Sequence, residues 1–367
     1  MFLVPLREAL HQADRRDQTW AVTSILDTTD NVGEASPGIG QGLATMSIPA
    51  IDMSRFHSGG PEARRSMAAA LASACGKTGF FHVTGHRVER RVILTMREMT
   101  AAFFRLPAEE KRALCAAPGD YRGYIPFAAF GNNTRSGEAD LYEGFKLHRE
   151  VEAHDPIREA CDLYGPNRWP VRIPGFRRAV LDYWRAMDAL SEELLRLFAL
   201  ALGLGEGRLL PCFEEPLTNM TLLHYPPVDR RCAGSGIHPH RDIDAFTIVH
   251  PGDVPGLEVL TRDRRWIEVT APEGALVVNV GNMMELWSGG RFVSAPHRVT
   301  PPSGAPRYSF PYFAMPRHDV LVEPLLPRVE GFDRAAVQTG FIVRELYRTN
   351  WKSVAQTDPG IDAGTVR

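Results

Sequence analysis

The chain has 367 residues, enough for one large domain or two small ones, with 44% hydrophobic and 23% charged side chains, the balance of a globular protein. Its net charge of −2 excludes the strongly basic surface by which a protein attracts nucleic acid or an anionic membrane. The five cysteines, Cys75, Cys115, Cys161, Cys212 and Cys232, form no CxxC and match no zinc spacing, so reduced thiols of a cytoplasmic protein are expected.

Residues 1–45 include DTTDNVGEASPGIGQG, which has no periodicity and reads as a poorly ordered leader. The opening MFLVPLREAL lacks the basic, apolar, small-residue order of a signal peptide, and no apolar run is long enough to span a bilayer. Met46 opens the cleaner pattern SIPAIDMSRF and is the expected native start. Pro61 suits a first helical position ahead of MAAALASAC. GFFHVTGH (79–86) is β-rich, and 88–105 reads as a helix ended by Pro107. The strongest helical signal spans 174–202, where Phe176, Val180, Tyr183, Trp184, Met187, Leu190, Leu194 and Leu197 fall on one stripe before Gly203 and Gly205. After Pro216 short β-type runs alternate with turns: MTLLHY, AFTIVH, GLEVL, WIEV, ALVVNV, RFV, HRVT and RYSFPYF. Many short strands at close spacing predict a β-sandwich or jelly roll. A last helix is expected near 333–354. Lys occurs only as Lys77, Lys111, Lys146 and Lys352, the bias of a GC-rich bacterial genome.

The densest chemistry lies in SGIHPHRDIDAFTIVH (235–250). On an extended strand residues i and i+2 share a face, so His240 and Asp242 would present an imidazole and a carboxylate together. His297, in SAPHRVT, offers a third donor after 54 intervening residues. Two imidazoles and one carboxylate on one face of an iron(II) ion leave three positions open, enough for a bidentate keto acid and O2. Arg307 and Ser309, again two apart, offer a planar fork and a hydroxyl suited to the distal carboxylate of 2-oxoglutarate.

The ordered set HxD, H and RxS resembles the isopenicillin N synthase-like branch of the iron(II)- and 2-oxoglutarate-dependent oxygenases. The resemblance covers most of the chain after Met46: IPAIDMSRF and GFFHVTGH, then FFRLPAEEK (103–111), YRGY (121–124) and GPNRWP (165–170), then LLHYPP (222–227), GLEVL, ALVVNVGNMMELWSGGRF and APHRV. It implies an α+β fold: a double-stranded β-helix (jelly-roll) core with a helical N-terminal region and a C-terminal helix. The expected division is a leader over 1–45, an N-terminal oxygenase region over 46–170, a long core helix and linker over 171–215, the catalytic core over 216–316, and a C-terminal helix and tail over 317–367. It implies Fe(II), 2-oxoglutarate and O2 as cofactor and cosubstrates, iron on His240, Asp242 and His297, and Tyr225 beside the keto acid. It implies a dioxygenase that hydroxylates, desaturates or cyclises a small organic molecule; by association, the Arg-rich composition adds the expectation of a secondary-metabolite or amino-acid-derived substrate in bacterial secondary metabolism such as antibiotic biosynthesis. A monomer without nucleic-acid or membrane partners is expected. The chain departs from the family pattern at Leu223, where Asn is frequent, at Arg241, where a small or hydroxylic residue is usual, and at Asn282, where Asp is common.

Several alternatives stay open from sequence. His238 could share the face of His240, and Pro239 can interrupt a strand. Arg307 could be an ion-pair partner and Tyr225 plain core. Phe127, Phe130, Tyr142, Phe145 and Lys146 could line a substrate pocket or simply pack. HRD also occurs in protein kinases, but Thr247 stands where that loop needs Asn, and no Gly-rich phosphate loop is present. An oxidase of the same fold that needs no 2-oxoglutarate, or a catalytically silent binding protein, would carry much of the same sequence.

Overall fold

The computed structural model describes residues 48–115, 119–130, 138–229 and 234–354; the expected leader, Met46 and Cys232 lie outside them. The chain begins with β1 (Ala50–Asp52), α1 (Ser54–Ser58), α2 (Pro61–Lys77), β2 (Phe80–Thr84), α3 (Arg90–Phe104), α4 (Ala108–Arg112), β3 (Gly123–Ile125) and β4 (Glu143–His148). After α5 (Ile157–Ala160) and the long α6 (Phe176–Ala201) come β5 (Asn219–Tyr225), β6 (Ile237–His240), β7 (Phe246–Val249), β8 (Leu257–Leu260), β9 (Trp266–Glu268) and β10 (Leu276–Val280). Then follow α7 (Asn282–Trp287), β11 (His297–Val299), β12 (Arg307–Ser309), β13 (Tyr312–Ala314), β14 (Leu321–Val322), β15 (Val337–Gln338) and α8 (Thr339–Val354).

Two sheets make the jelly roll. The larger runs β1-β2-β10-β7-β13-β5-β4-β3, with β12 also on β5, and the smaller runs β6-β11-β8-β9. β1 joins β2 in parallel, and the ladders around the site are antiparallel. β1 to β4, from the N-terminal region, therefore share a sheet with the strands of the core.

Both faces of the larger sheet are covered, which is why its strands read as near-continuous apolar runs rather than alternating ones. On the outer face Phe145, Leu147, Met220, Leu222, Phe246, Ile248 and Val278 join one core with α2, α3 and α6. Helix α6 forms because its apolar residues recur every three to four positions, and that stripe is the face it buries. Tyr183 meets Phe310, Trp184 meets Tyr312 and Phe198 meets Phe246, with ring centroids 5.1–5.9 Å apart. Each such aromatic contributes about 1.5–3 kcal/mol by burial. Gly203, at φ 73°, turns the chain out of the helix. On the inner face Phe80, Val249 and Val277 pack against Val259 and Ile267 of the smaller sheet.

Three local expectations need correction. RFV (291–293) is not a strand, because Gly289 and Gly290 turn the chain with positive φ and Val293 donates to the Cys75 carbonyl of α2. Pro239 does not end β6, which is an edge strand, but the ladder is irregular across it: the three steps from Ile237 to His240 oppose the two from Val299 to His297. The last helix begins at Thr339, after β15, and not near 333. Among the described residues no helix is long and apolar enough to cross a membrane.

Candidate functional site

The end of β6 and the start of β11 lie side by side, with His240 paired directly with His297. That register places the two imidazoles together, ring centroids 4.3 Å apart. Asp242 reaches them from a different setting than the sequence implies. Strand β6 stops at His240, so Asp242 stands on the following loop and not on the strand. The β10–α7 junction fixes that loop: the Asn282 N–H donates to the Asp242 carbonyl at 2.8 Å. Gly281 permits this approach, because a Cβ there would stand 2.2 Å from the Asp244 carbonyl oxygen.

The resulting cluster offers one donor atom each from His240, Asp242 and His297, all within 4.8 Å of one another. Asp242 Oδ1 lies 3.8 Å from His240 Nε2 and 3.7 Å from His297 Nε2. The other atom of each side chain is tied back to the protein. His240 Nδ1 stands 2.8 Å from the His238 carbonyl, and His297 Nδ1 3.2 Å from the Ala295 carbonyl. With Nδ1–H donated, each Nε2 keeps its lone pair for a cation. Asp242 Oδ2 accepts from Asn279 Nδ2 at 2.7 Å and from Thr247 Oγ1 at 2.5 Å. Phe80 packs edge-on against His297 at 5.6 Å and closes that side.

Charge follows from these contacts. Burial, then neighbouring His240, push His297 down to about 4, so the ring is neutral at physiological pH. Burial alone would raise the Asp242 carboxyl, but His297, His240, Thr247 and Asn279 outweigh it and hold the group below its ordinary range. Asp244 is the opposite case: burial, then the Asp242 charge, raise it well above the usual carboxylate value. Thr247 Oγ1 also stands 2.9 Å from Asp244 Oδ2. A hydroxyl has one hydrogen to give, so Thr247 cannot donate to both carboxylates at once. A carboxylate and two imidazoles with their Nε2 atoms turned to one point make a donor set suited to a ferrous ion.

At the C-terminal end of β5, Arg307 pairs with Tyr225 and Ser309 with Leu223. Arg307 is 2% exposed and Ser309 3% exposed. Arg307 Nε donates to the Val254 carbonyl at 3.2 Å, its guanidinium lies 5.1 Å from the Tyr225 ring centre, and its Nη1 has no partner. Among the described residues no carboxylate lies within ion-pair distance of it, so the surface ion-pair alternative fails on burial and on partners. A buried guanidinium without an anion is a costly arrangement unless a ligand brings one.

His238 turns elsewhere. Both its backbone N–H and its Nδ1 meet Asp140 Oδ1, at 2.8 and 2.7 Å. Phe145 packs in the outer core against Phe103 and Phe176. Tyr142 lies beside Tyr225, at 6.0 Å between ring centres. Lys146 lies on the inner face, donating to Asn219 Oδ1 at 2.6 Å. Sequence reasoning missed Asn279 and Thr247. Their signal was present, since each is a lone polar residue within an apolar run, ALVVNV and AFTIV.

The family model for the non-haem dioxygenase N-terminal region, named for morphine synthesis, matches residues 48–172, and that of the 2OG-Fe(II) oxygenase superfamily matches 217–316. A 2-oxoglutarate-Fe(II) type oxidoreductase of Emericella nidulans, hxnY, is 32% identical over 74% of this chain and 80% of its own length. Homoarginine-6-hydroxylase of Arabidopsis thaliana is 31% identical over 76% and 87%. The solved structure of a 2OG-Fe(II) oxygenase family protein from Caulobacter crescentus superposes with a TM-score of 0.70 at 26% identity, over 83% of this chain and 99% of that one.

Proposed function

This chain belongs to the iron(II)- and 2-oxoglutarate-dependent oxygenase superfamily, in its isopenicillin N synthase-like branch, and on that premise we propose that His240, Asp242 and His297 hold the ferrous iron. Arg307 and Ser309 take the distal carboxylate of 2-oxoglutarate, and Tyr225 flanks it. The chain is a 2-oxoglutarate-dependent dioxygenase that oxidises a small molecule. The observation that carries the residue assignment is the cluster of three donor atoms within 4.8 Å, each with its far atom already bonded to the protein. Iron with 2-oxoglutarate and O2 supplies oxidative decarboxylation to succinate and CO2, coupled to two-electron oxidation of the substrate.

The chain's own residues position and shield. The backbone carbonyls of His238 and Ala295 set the imidazole tautomers, and Asn279 and Thr247 fix the rotation of the Asp242 carboxylate. Arg307 supplies a fork for a carboxylate where water does not screen it. That unpaired guanidinium favours a 2-oxoglutarate enzyme over an oxidase that needs none. Hydroxylation, desaturation and cyclisation are the outcomes open to such a site.

The same reading takes the protein as a cytoplasmic monomer of bacterial secondary metabolism. Four lysines among 42 basic residues, a net charge of −2 and cysteines without a pairing pattern support it. Neighbouring genes and size-exclusion chromatography test those parts. The chemical assignment is tested with His297→Ala under anaerobic conditions. Iron affinity and succinate formation are expected to fall to background. A variant that bound iron and consumed O2 as the unaltered protein does would end the assignment.

A further inference from the structure

The inner face of the larger sheet holds a second cation that the iron site does not use. Lys146 on β4 pairs in register with Thr221 on β5, which puts it on the same face as Asn219, Leu223 and Tyr225. Its Nζ donates to Asn219 Oδ1 at 2.6 Å. Asn219 Nδ2 points to the Leu217 carbonyl at 3.4 Å, which leaves Oδ1 as the atom facing the lysine. Two rings flank the ammonium, Phe313 of β13 at 5.1 Å and Tyr347 of α8 at 5.5 Å.

This group sits beside the strands that position the iron ligands. Phe313 pairs with both Asn219 and Thr247, and Thr247 is the residue that holds Asp242. Arg307 lies at the opposite end of β5, beside Tyr225. From Asn219 to Tyr225 the strand spans about 20 Å at roughly 3.3 Å per residue. A five-carbon diacid held by Arg307 at one carboxylate and by the iron at its keto-acid end has both carboxylates committed, so Lys146 is not part of the cosubstrate site.

The ammonium is also short of an anion. An ammonium has three donors, and the acceptor found for this one is a neutral amide. Among the described residues no carboxylate lies within ion-pair distance of Nζ. Asp242 and Asp244 act on it through space, but Asp242 faces the two imidazoles and both carboxylates lie within hydrogen-bond distance of Thr247 Oγ1 rather than of the ammonium. Burial, against the pull of those two carboxyls, pushes the amine down to about 7. Lys146 as a whole residue is half-buried.

We propose that Lys146 is the substrate-recognition residue of this site, and that the substrate is a small organic acid whose carboxylate meets the ammonium while its flat or apolar body lies against Phe313 and Tyr347. This rests on the reading of His240, Asp242 and His297 as the iron site and names the substrate class for it. Two anion anchors at opposite ends of β5 let the two acids bind together, each with its own cation.

The test uses the full chain loaded anaerobically with iron(II) and 2-oxoglutarate. The probes are aryl- and alkyl-substituted acetic and propionic acids, each paired with its primary amide. Two readouts are taken: the shift of the iron–2-oxoglutarate charge-transfer band on adding a probe, and succinate formation above the uncoupled rate on admitting O2. Acids are expected to act at concentrations at least tenfold lower than their amides, the factor a charge-assisted hydrogen bond supplies. Lys146→Met is expected to erase that ratio and Lys146→Arg to keep part of it. The acid-to-amide ratio of the unaltered protein decides the matter even if a variant fails to fold. Amides equal to acids, a ratio unchanged in Lys146→Met, or a panel in which no acid shifts an existing band each overturn the inference. Failure of the band to form at all, without any probe, would instead overturn the iron and 2-oxoglutarate assignment.

Discussion

Replacing Arg307 with Met separates a ligand-binding cation from a structural one. Arg307 is 2% exposed, its Nη1 is unpartnered, and it has no ion pair among the described residues. Removing one member of a buried charge pair costs about 2–5 kcal/mol, or roughly 30- to 4,000-fold in affinity. Ser309 and Tyr225 remain beside the carboxylate, so a loss of about a hundredfold in 2-oxoglutarate affinity is expected, near 2.7 kcal/mol. The stability of the unliganded protein should respond differently. Burial disfavours the guanidinium's charge, and no anion compensates it, so Arg307→Met is expected to leave unliganded stability unchanged or slightly raised. Linkage then gives a second figure. At a 2-oxoglutarate concentration 100 times the native Kd, the iron-loaded protein gains about 2.7 kcal/mol, whereas a variant bound a hundredfold more weakly gains about 0.4 kcal/mol. Denaturant melts with and without 2-oxoglutarate measure both, and an anaerobic titration of the charge-transfer band gives Kd directly. An unchanged Kd would refute the carboxylate assignment. A loss of several kcal/mol in the unliganded protein would show that Arg307 is a structural cation.

Two further outcomes follow from the same geometry. Asn279→Ala removes one of the two donors to Asp242 Oδ2, and iron affinity is expected to fall about 10- to 100-fold in an anaerobic metal titration while the fold persists; equal affinity would show that Asn279 does not orient the ligand. His148 is buried, its Nε2 lacks a partner, and burial together with the Arg122 and Lys146 charges holds its pKa well below 6.5. Below pH 6.5 the unfolded chain binds a proton there that the folded chain refuses, so stability falls with falling pH, by up to about 1.4 kcal/mol per pH unit for this group. His148→Phe is therefore expected to gain on the unaltered protein as the pH drops from 7.5 to 5, and parallel stability curves would contradict it.

Local periodicity made the helices readable. The stripe expected over 174–202 is α6 at Phe176–Ala201, and the helix expected over 88–105 is α3 at Arg90–Phe104, because a helix depends on residues three and four apart along its own chain. Strand pairing joins residues far apart, and what depended on it was less visible. The HxD reasoning reached the right residues by a premise the backbone does not honour. Asp242 shares a face with no strand residue; it meets the imidazoles because the β10–α7 junction, some forty residues later, holds its loop. Parity did serve for RxS, where β12 is extended from Arg307 to Ser309 and both side chains turn inward. It failed for His238, which has the parity of His240 but bonds to Asp140, a residue nearly a hundred positions upstream.

The polar residues overlooked in sequence share one property. Thr247, Asn279 and Asn219 lie in strands buried on both faces, each no more than 3% exposed. A strand with one wet face can carry a polar residue at every second position without consequence. A strand covered on both sides cannot, because each buried polar group without a partner costs about 1–3 kcal/mol. In such runs a single Asn, Thr or Lys marks a required partner, although the sequence does not say which one. Here those partners are the Asp242 carboxylate for Thr247 and Asn279, and the Lys146 ammonium for Asn219. For Lys146, whose ammonium has no acceptor but Asn219 Oδ1 among the described residues, the same reasoning leads out of the chain and to the substrate.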